Sequence, residues 1–532
     1  MDTPKRQSLG ARREQWLTLA LVWVFFTVAV WHLDRLPAVF EDEPWILAPG
    51  YKLFTQGVFG SDLFTGFHNM EQHYLQFMPL FSVLQGAFTQ ISGIGLFQLR
   101  FVPVVCATLL VALSSSIARK LGPPRAGAVA VLLLLTWQWL PEGSHRHLPS
   151  GVPLVDIARM ARYDTLAALL GVCAWACFIR ARKMGAAWFD LWCGLFIGAA
   201  GLSHVVGFFW LPVFVVTVVL TSPKSFSRWV RASLRMTAGA VLITLPWVMV
   251  LGANWGDAVA QARVQPFYFN LTQLSFYLNN LMGERSRYFL GLNVLAGAWR
   301  PTLFVMLIGL PLAWLFVFRR AARQRNPQAV WLAVPSVMMP ALFALMLYSK
   351  SSFYLPTLVA MFGVLLAVAL AHGLRSTFAV RLAICASIVV VTGFGGMGLT
   401  QMHLRASQIA SPQAYLAALR QAVPAQARVL GMPNHWLGLL ANPYRAIHLT
   451  FYLTSPYIEP HPVSLATALQ HIAPEIVLMD TFLDELYSDR STPQTSQRSD
   501  VFWQFMRDHH ARLTATIQDN AGNPIRVYQL TY

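Results

Sequence analysis

Just past the first long apolar run, Phe40-Glu41-Asp42-Glu43-Pro44-Trp45 sets three carboxylates side by side. Like charges repel, and apolar surroundings oppose ionisation, so such a group is costly beside a membrane. Two readings follow. One is a solvated acidic run facing water. The other is a carboxylate that takes a proton from an attacking group at the membrane–water boundary. Other chemistry-bearing residues flank later apolar runs: Glu71 and His73; Arg159, Arg162 and Asp164; His204; Glu284, Arg285 and Arg287; Lys350 and Tyr354. Arginine offers a planar fork to an anion and lysine a point charge. Glu284 with His73 would suit a divalent ion, but residue types without distances do not argue a metal.

The elements that position these residues are membrane spans. The 532 residues are 56% hydrophobic and only 12% charged, against about 25% charged for a soluble chain. The net charge of +17 does not point to nucleic acid, because the basic residues form short tufts between apolar runs. That is the pattern of cytoplasmic loops. The five cysteines (Cys106, Cys173, Cys177, Cys193, Cys385) all lie in apolar segments with no CxxC pair, so neither a zinc site nor a disulfide framework is indicated. The first apolar run lacks a small-residue cleavage site and reads as a retained span.

A span needs roughly 20 apolar residues. The first, about Trp16–Leu33, leads to a loop with six acids (Asp34, Glu41, Asp42, Glu43, Asp62, Glu71) against Arg35 and Lys52. Phe77–Ile94 and Phe97–Ile117 are both apolar. The next tuft, Arg119-Lys120, is basic, so an odd number of crossings must precede it. Phe77–Ile94, broken by Pro79 and Gly86, is therefore expected along the outer interface. Counting on through the tufts predicts an all-α polytopic protein of about 11 spans, N-terminus inside and C-terminus outside. Residues 1–401 would form the membrane domain, with outer loops 34–96, 141–163 and 252–299.

After Met402 the texture changes. Met402–Tyr532 holds nine arginines, no lysine and nine acids. Short β-like runs at 428–431, 476–480 and 525–528 alternate with helix-like ones at 412–422, 464–471 and 501–509. This predicts a small α/β domain, 402–532, outside the membrane.

Four motifs, in order, resemble the C-type glycosyltransferases that use polyprenyl-phosphate sugars. Asp42-Glu43 followed by Tyr51-Lys52-Leu53-Phe54-Thr55-Gln56-Gly57 looks like their first outer loop. Leu99-Arg100-Phe101-Val102-Pro103 resembles their second span. Arg162-Tyr163-Asp164-Thr165-Leu166 resembles an Arg-x-Asp start, and Lys350-Ser351-Ser352-Phe353-Tyr354-Leu355-Pro356 a late Lys…Tyr-Leu-Pro entry. The subgroup most resembled holds protein O-mannosyltransferases and the lipid A aminoarabinose transferase. Pro44 departs from their usual Ala or Thr, but proline suits a first helical turn.

The resemblance implies an inverting glycosyltransferase of a bacterial inner membrane with a periplasmic site. Asp42 would be the base, with Glu43 and Asp164 as further catalytic acids. Arg285, Arg287, Lys350 and Tyr354 would hold the donor phosphate. Glu71, His73 and Arg162 would also contact substrate, and Glu284 with His73 would take any divalent cation. The donor would be a polyprenyl-phosphate sugar, and the acceptor an envelope glycan, lipid A or a protein. Two other classes compete. A transporter or flippase would carry its charges at mid-span. A membrane scaffold would present the C-terminal domain and leave the acids dispensable.

Overall fold

The computed structural model describes residues 4–140, 148–222, 225–264, 271–284, 287–288, 305–324 and 326–532, with side chains from residue 12 onward. In chain order the helices are α1 (Pro4–Val30), α2 (Asp42–Gln56), α3 (Leu80–Ser92), α4 (Leu96–Leu121), α5 (Ala126–Thr136), α6 (Pro153–Ala158), α7 (Asp164–Met184), α8 (Trp188–Ser203), α9 (Trp210–Thr221), α10 (Phe226–Ala253), α11 (Trp255–Ala262) and α12 (Leu274–Gly283). They continue as α13 (Leu310–Gln324), α14 (Pro327–Met346), α15 (Leu355–Gly373), α16 (Phe378–Gln408), α17 (Gln413–Ala422), α18 (His448–Thr454), α19 (Leu465–Ile472), α20 (Thr481–Ser488) and α21 (Pro493–Asp508). The chain is a polytopic membrane protein with a small sheet domain near its C-terminus. Among the described residues eight helices are long and apolar enough to cross a membrane. Three shorter apolar helices, Ala126–Thr136, Trp188–Ser203 and Val205–Thr221, stand where three more spans were expected.

Two compact units divide the chain. The first comprises Met1–Leu33, Phe101–Val248 and Asn270–Leu404; the second comprises Asp34–Arg100, Met249–Phe269 and Arg405–Tyr532. The first outer loop thus groups with the C-terminal residues, not with the helical bundle.

The first unit is built around α15. This helix is apolar on every side, so it is stable only when surrounded. It packs against α5, α7, α13 and α14, and Leu358 through Val368 are buried without a break. Pro356 sits in its first turn, where a missing N–H costs nothing. By contrast, α10 buries only Ala232, Met236, Gly239 and Ala240. These fall on one stripe, and a side-chain carbon on Gly194 would strike the Met236 carbonyl. Small residues let α8 and α10 meet backbone to backbone, leaving the rest of α10 for lipid.

In the second unit α2 and α3 pack together. A side-chain carbon on Gly50 would strike the Ser82 carbonyl, and one on Gly86 would strike the Gly50 carbonyl. Ser82 Oγ donates to the Ile46 carbonyl at 2.6 Å. The α3 helix has 13 residues, a rise of about 20 Å against about 30 Å of hydrocarbon, so it is too short to cross as a straight helix. Gly86, read in the sequence as a break, is the contact point with α2.

The C-terminal sheet has order β2-β1-β3-β5-β4, with β1 Val429–Gly431, β2 Tyr444–Ala446, β3 Ile476–Met479, β4 Arg512–Gln518 and β5 Pro524–Gln529. Strands β1, β2 and β3 are parallel, and β5 is antiparallel to both β3 and β4. The three expected β-like runs are β1, β3 and β5. The polar stretch 491–499 mostly belongs to α21. There Thr492 and Thr495 form a reciprocal capping box.

Gly86→Val is expected to push α3 off α2. Overpacking of this kind costs about 1–3 kcal/mol, read as a lower Tm of the detergent-solubilised protein, whereas Gly252→Ala, at a position with open space, leaves Tm unchanged.

Candidate active site

The helical unit gathers most of the expected phosphate-side residues. Asp164 is the first residue of α7, and its Oδ2 accepts from Arg162 Nε at 2.9 Å with both side chains 3% exposed. The Arg162 guanidinium lies over the Phe353 ring at 4.3 Å and the Tyr163 ring at 5.1 Å. His204, at the turn after α8, has its ring centroid 4.9 Å from that of Tyr163 and 4.9 Å from that of Tyr354. Tyr354 in turn lies under Arg287, 5.8 Å from its guanidinium carbon. Glu284 ends the array: its Oε1 accepts from Arg287 Nε and its Oε2 from Lys350 Nζ, each at 2.8 Å. Arg162, Asp164, Tyr354, Arg287 and Lys350 therefore form one connected cluster, joined by His204 and Glu284. Arg285 lies outside the described residues.

Local chemistry explains the placement. The segment after α14 turns at Leu347–Ser351, and Ser351 Oγ accepts the Phe353 N–H to start the turn into α15. That delivers Lys350 and Tyr354 to the same helix end. Lys350 Nζ also donates to the Ala344 carbonyl at 2.9 Å. Burial pushes the Lys350 ammonium below its usual range, and Arg287 adds to this while Glu284 opposes it. Arg287 is fully buried. Its terminal nitrogens reach carbonyls of Ser351, Ser349 and Phe343 only at 3.3–3.5 Å, long for charged donors.

Two expectations change here. Arg159 is no part of this cluster: its guanidinium donates to the carbonyls of Ala29, Trp31 and His32 at 2.8–2.9 Å and so caps the C-terminus of α1. Glu284 is engaged by two cations and is not a free metal ligand. Asp156, two turns before α7, is wholly buried and accepts from Ser150 Oγ at 2.7 Å. Burial lifts its carboxyl to about 7, although the bonds from Ser150 pull the other way.

The second unit holds the acidic run. Asp42 opens α2 and is half-buried; Asp42 and Glu43 occupy the first turn, where the helix dipole favours negative charge. Glu43 is completely buried. Its Oε1 accepts from Arg100 Nε and its Oε2 from Arg100 Nη2, both at 2.8 Å, and the Phe40 N–H donates to Oε2 at 2.8 Å. Arg100 further donates to the carbonyls of Pro37 and Ala38. Glu43, expected as a catalytic acid, is instead one half of a buried bidentate pair that holds the loop before α2. Glu41 lies 3.7 Å from His448 Nε2. Burial pushes His448 down to about 4, so at neutral pH this is a polar contact and not an ion pair. His448 also packs on Trp45, which ties α18 of the C-terminal segment to the acidic run.

Glu71 and His73 are occupied elsewhere. Glu71 Oε2 accepts the Gly66 N–H at 3.1 Å, closing a loop. His73 Nε2 meets Asp257 Oδ2 at 2.9 Å, and Asn69 Nδ2 donates to the same oxygen at 3.0 Å. Gln261 is buried below them: its amide accepts from the Leu75 N–H and donates to the carbonyls of His68 and His73. These bonds make His73 a loop-positioning residue, and among the described residues no group of three His, Cys, Asp or Glu is set to hold a metal ion. Asp257, Gln261, Arg100 and His448 were not singled out for the site from sequence. Only Arg100 left a signal: a charge inside the apolar run Leu99–Val104 demands a partner.

Similarity to solved structures bears on the whole chain. The oligosaccharyltransferase of Archaeoglobus fulgidus, in the apo form, aligns over 88% of this chain and 70% of its own, with a TM-score of 0.56 and 12% identity. The same organism's oligosaccharyltransferase AglB, solved with an inhibitory peptide and a dolichol-phosphate, aligns over 96% of this chain and 74% of its own, with a TM-score of 0.58 and 13% identity. This chain shares the fold of these archaeal oligosaccharyltransferases. No protein-family model matches the chain, and no curated protein matches its sequence.

Glu43→Gln should cost about 3–5 kcal/mol, because it strands the Arg100 guanidinium; thermal unfolding in detergent reads this as a large fall in Tm, whereas Asp42→Asn shifts Tm little. Asp156 has a folded pKa raised above its unfolded value of about 3.8. Its protonated form is therefore favoured by folding, and stability is lost as pH rises from about 4 to 7. Asp156→Asn should flatten that part of a Tm-versus-pH curve.

Proposed function

We propose that the chain is an inverting glycosyltransferase that moves a sugar from a polyprenyl-phosphate donor to a hydroxyl or phosphate of an envelope glycan, lipid A or protein. The observation that carries this reading is the array of Arg162, Tyr354, Arg287 and Lys350, fixed at the ends of apolar helices in a C-type glycosyltransferase fold. Phosphate oxygens would take the Arg287 terminal nitrogens, whose present contacts are long, and the Lys350 ammonium. Glu284 would act as counter-ion until the donor arrives. An apolar cleft of about 640 Å³ in the same unit, lined by Leu133, Ile308, Leu312, Leu366, Val391 and Phe394, suits an isoprenoid tail. Each buried CH₂ there contributes about 0.8 kcal/mol. Dolichol-phosphate is bound by the archaeal enzyme of the same fold.

In this mechanism Asp42 takes the proton of the acceptor as its oxygen attacks the anomeric carbon. The bond from that carbon to the phosphate oxygen breaks, and the polyprenyl phosphate leaves with the electron pair. One displacement inverts the carbon and needs no second nucleophile. The fixed cations stabilise the charge that grows on the leaving phosphate. We assign the site to the periplasmic face of a bacterial inner membrane, supported by basic tufts such as Arg119-Lys120, Arg180–Lys183 and Arg319–Arg323 on the opposite loops. Asp42, Asp164 and Lys350 lie at helix starts or between helices, which favours an enzyme over a transporter with mid-span charges.

Mass spectrometry of envelope lipids and glycans should show one glycosylated product lost when the protein is absent. Asp42→Asn should lower transfer about 10²–10⁴-fold with expression intact, and Lys350→Ala should weaken donor use. Substrate flux across vesicles without a glycosylated product would replace this reading with a transporter.

A further inference from the structure

We propose that His204 is a donor-binding residue whose Nε2–H donates to an oxygen of the lipid-linked phosphate; this rests on the donor class proposed above. His204 is 7% exposed and stands in extended conformation between α8 and the short helical turn Val205–Phe209. Its Nδ1 accepts the Val206 N–H at 3.3 Å. That bond requires a lone pair on Nδ1, so in the neutral ring the proton sits on Nε2. A side chain on Gly207 would strike the backbone of Ala200, so the turn that sets this bond is tightly packed.

The ring stacks on Tyr163 at an interplanar angle of 21° and meets Tyr354 at 39°. Nε2 has one direction in which to donate, along the ring edge. Among the described residues no acceptor meets it. An arriving oxygen would satisfy this N–H.

The surroundings favour an anionic oxygen over a neutral hydroxyl. Arg162, Arg287 and Lys350 supply three positive charges, and Asp164 and Glu284 supply two negative ones, so the described cluster keeps one net positive charge. Burial, with the Arg162 charge adding to it, pushes His204 down to about 3. The imidazole thus contributes a hydrogen bond and no charge of its own. A neutral N–H polarises a leaving oxygen without exchanging a proton with it, and its strength does not vary across physiological pH.

The experiment uses the full chain purified in detergent, with farnesyl phosphate and farnesol as probes in calorimetric titrations. Wild type is expected to bind farnesyl phosphate more tightly than farnesol. His204→Phe keeps a ring beside the two tyrosines and removes the donor. It should weaken farnesyl phosphate about 10- to 100-fold, the range for a bond to a charged group, and leave farnesol unchanged. His204→Gln restores a side-chain N–H and should recover to within about fivefold of wild type, while the ratio of wild type to His204→Phe stays flat from pH 5 to 8. Equal binding by wild type and His204→Phe overturns the inference, as does equal loss of both probes. A ratio that climbs below pH 6 would mean an imidazolium and also overturns it. Failure of wild type to prefer the phosphate sinks the donor reading itself. If His204→Phe does not fold, ¹⁵N-histidine spectra of the wild type decide: an Nε2 resonance must move with farnesyl phosphate and not with farnesol, and absence of that shift overturns the assignment.

Discussion

Charge in an apolar fold has to be cancelled nearby, and this requirement governs the chemistry of the molecule. Glu43 with Arg100, Asp164 with Arg162, and Glu284 with Arg287 and Lys350 each meet at 2.8–2.9 Å with little or no exposure. Removing one partner of such a pair leaves a buried charge, which costs more than the pair is worth. The pairs therefore act as fixed points. A loop that carries one of these residues has a single place to go.

The three pairs differ in how completely they are closed. Arg100 is bonded through Nε, Nη1 and Nη2 to a carboxylate and two carbonyls. Nothing in that arrangement invites a ligand, and its role is to set the entry to α2. Among the described residues Arg287 makes one short bond, through Nε, and its terminal nitrogens meet carbonyls and the second Glu284 oxygen at 3.3–3.5 Å. That looser pairing leaves room for a stronger acceptor to compete. The same structural rule thus produces a closed strut in one unit and a looser pairing in the other.

Backbone approach supplies the second level of control. Gly50 and Gly86 let α2 and α3 touch, which fixes the axis of the helix that begins with Asp42. His448 and Trp45 then tie the C-terminal segment to the same helix. The soluble-looking tail is therefore packed around the acidic run, although the two are some 400 residues apart in the chain.

Local pattern was enough for much of this. Apolar runs of sufficient length, basic tufts between them and the parity of crossings led to the spans and to α3 as a non-spanning helix, because hydrophobic length and periodicity are properties of neighbouring residues. Strands β1, β3 and β5 were legible for the same reason. Strand β4, mostly exposed, and β2, three residues long, carry too little apolar signal and become strands only by pairing. Partners were not legible at all. Arg100 meets Glu43 across 57 residues, Lys350 meets Glu284 across 66, and His73 meets Asp257 across 184. The sequence by itself could name the residues able to bear charge or move a proton. Which of them are consumed as struts and which stay open to a ligand was decided by tertiary structure, because that depends on what the fold brings within 3 Å of each charged atom.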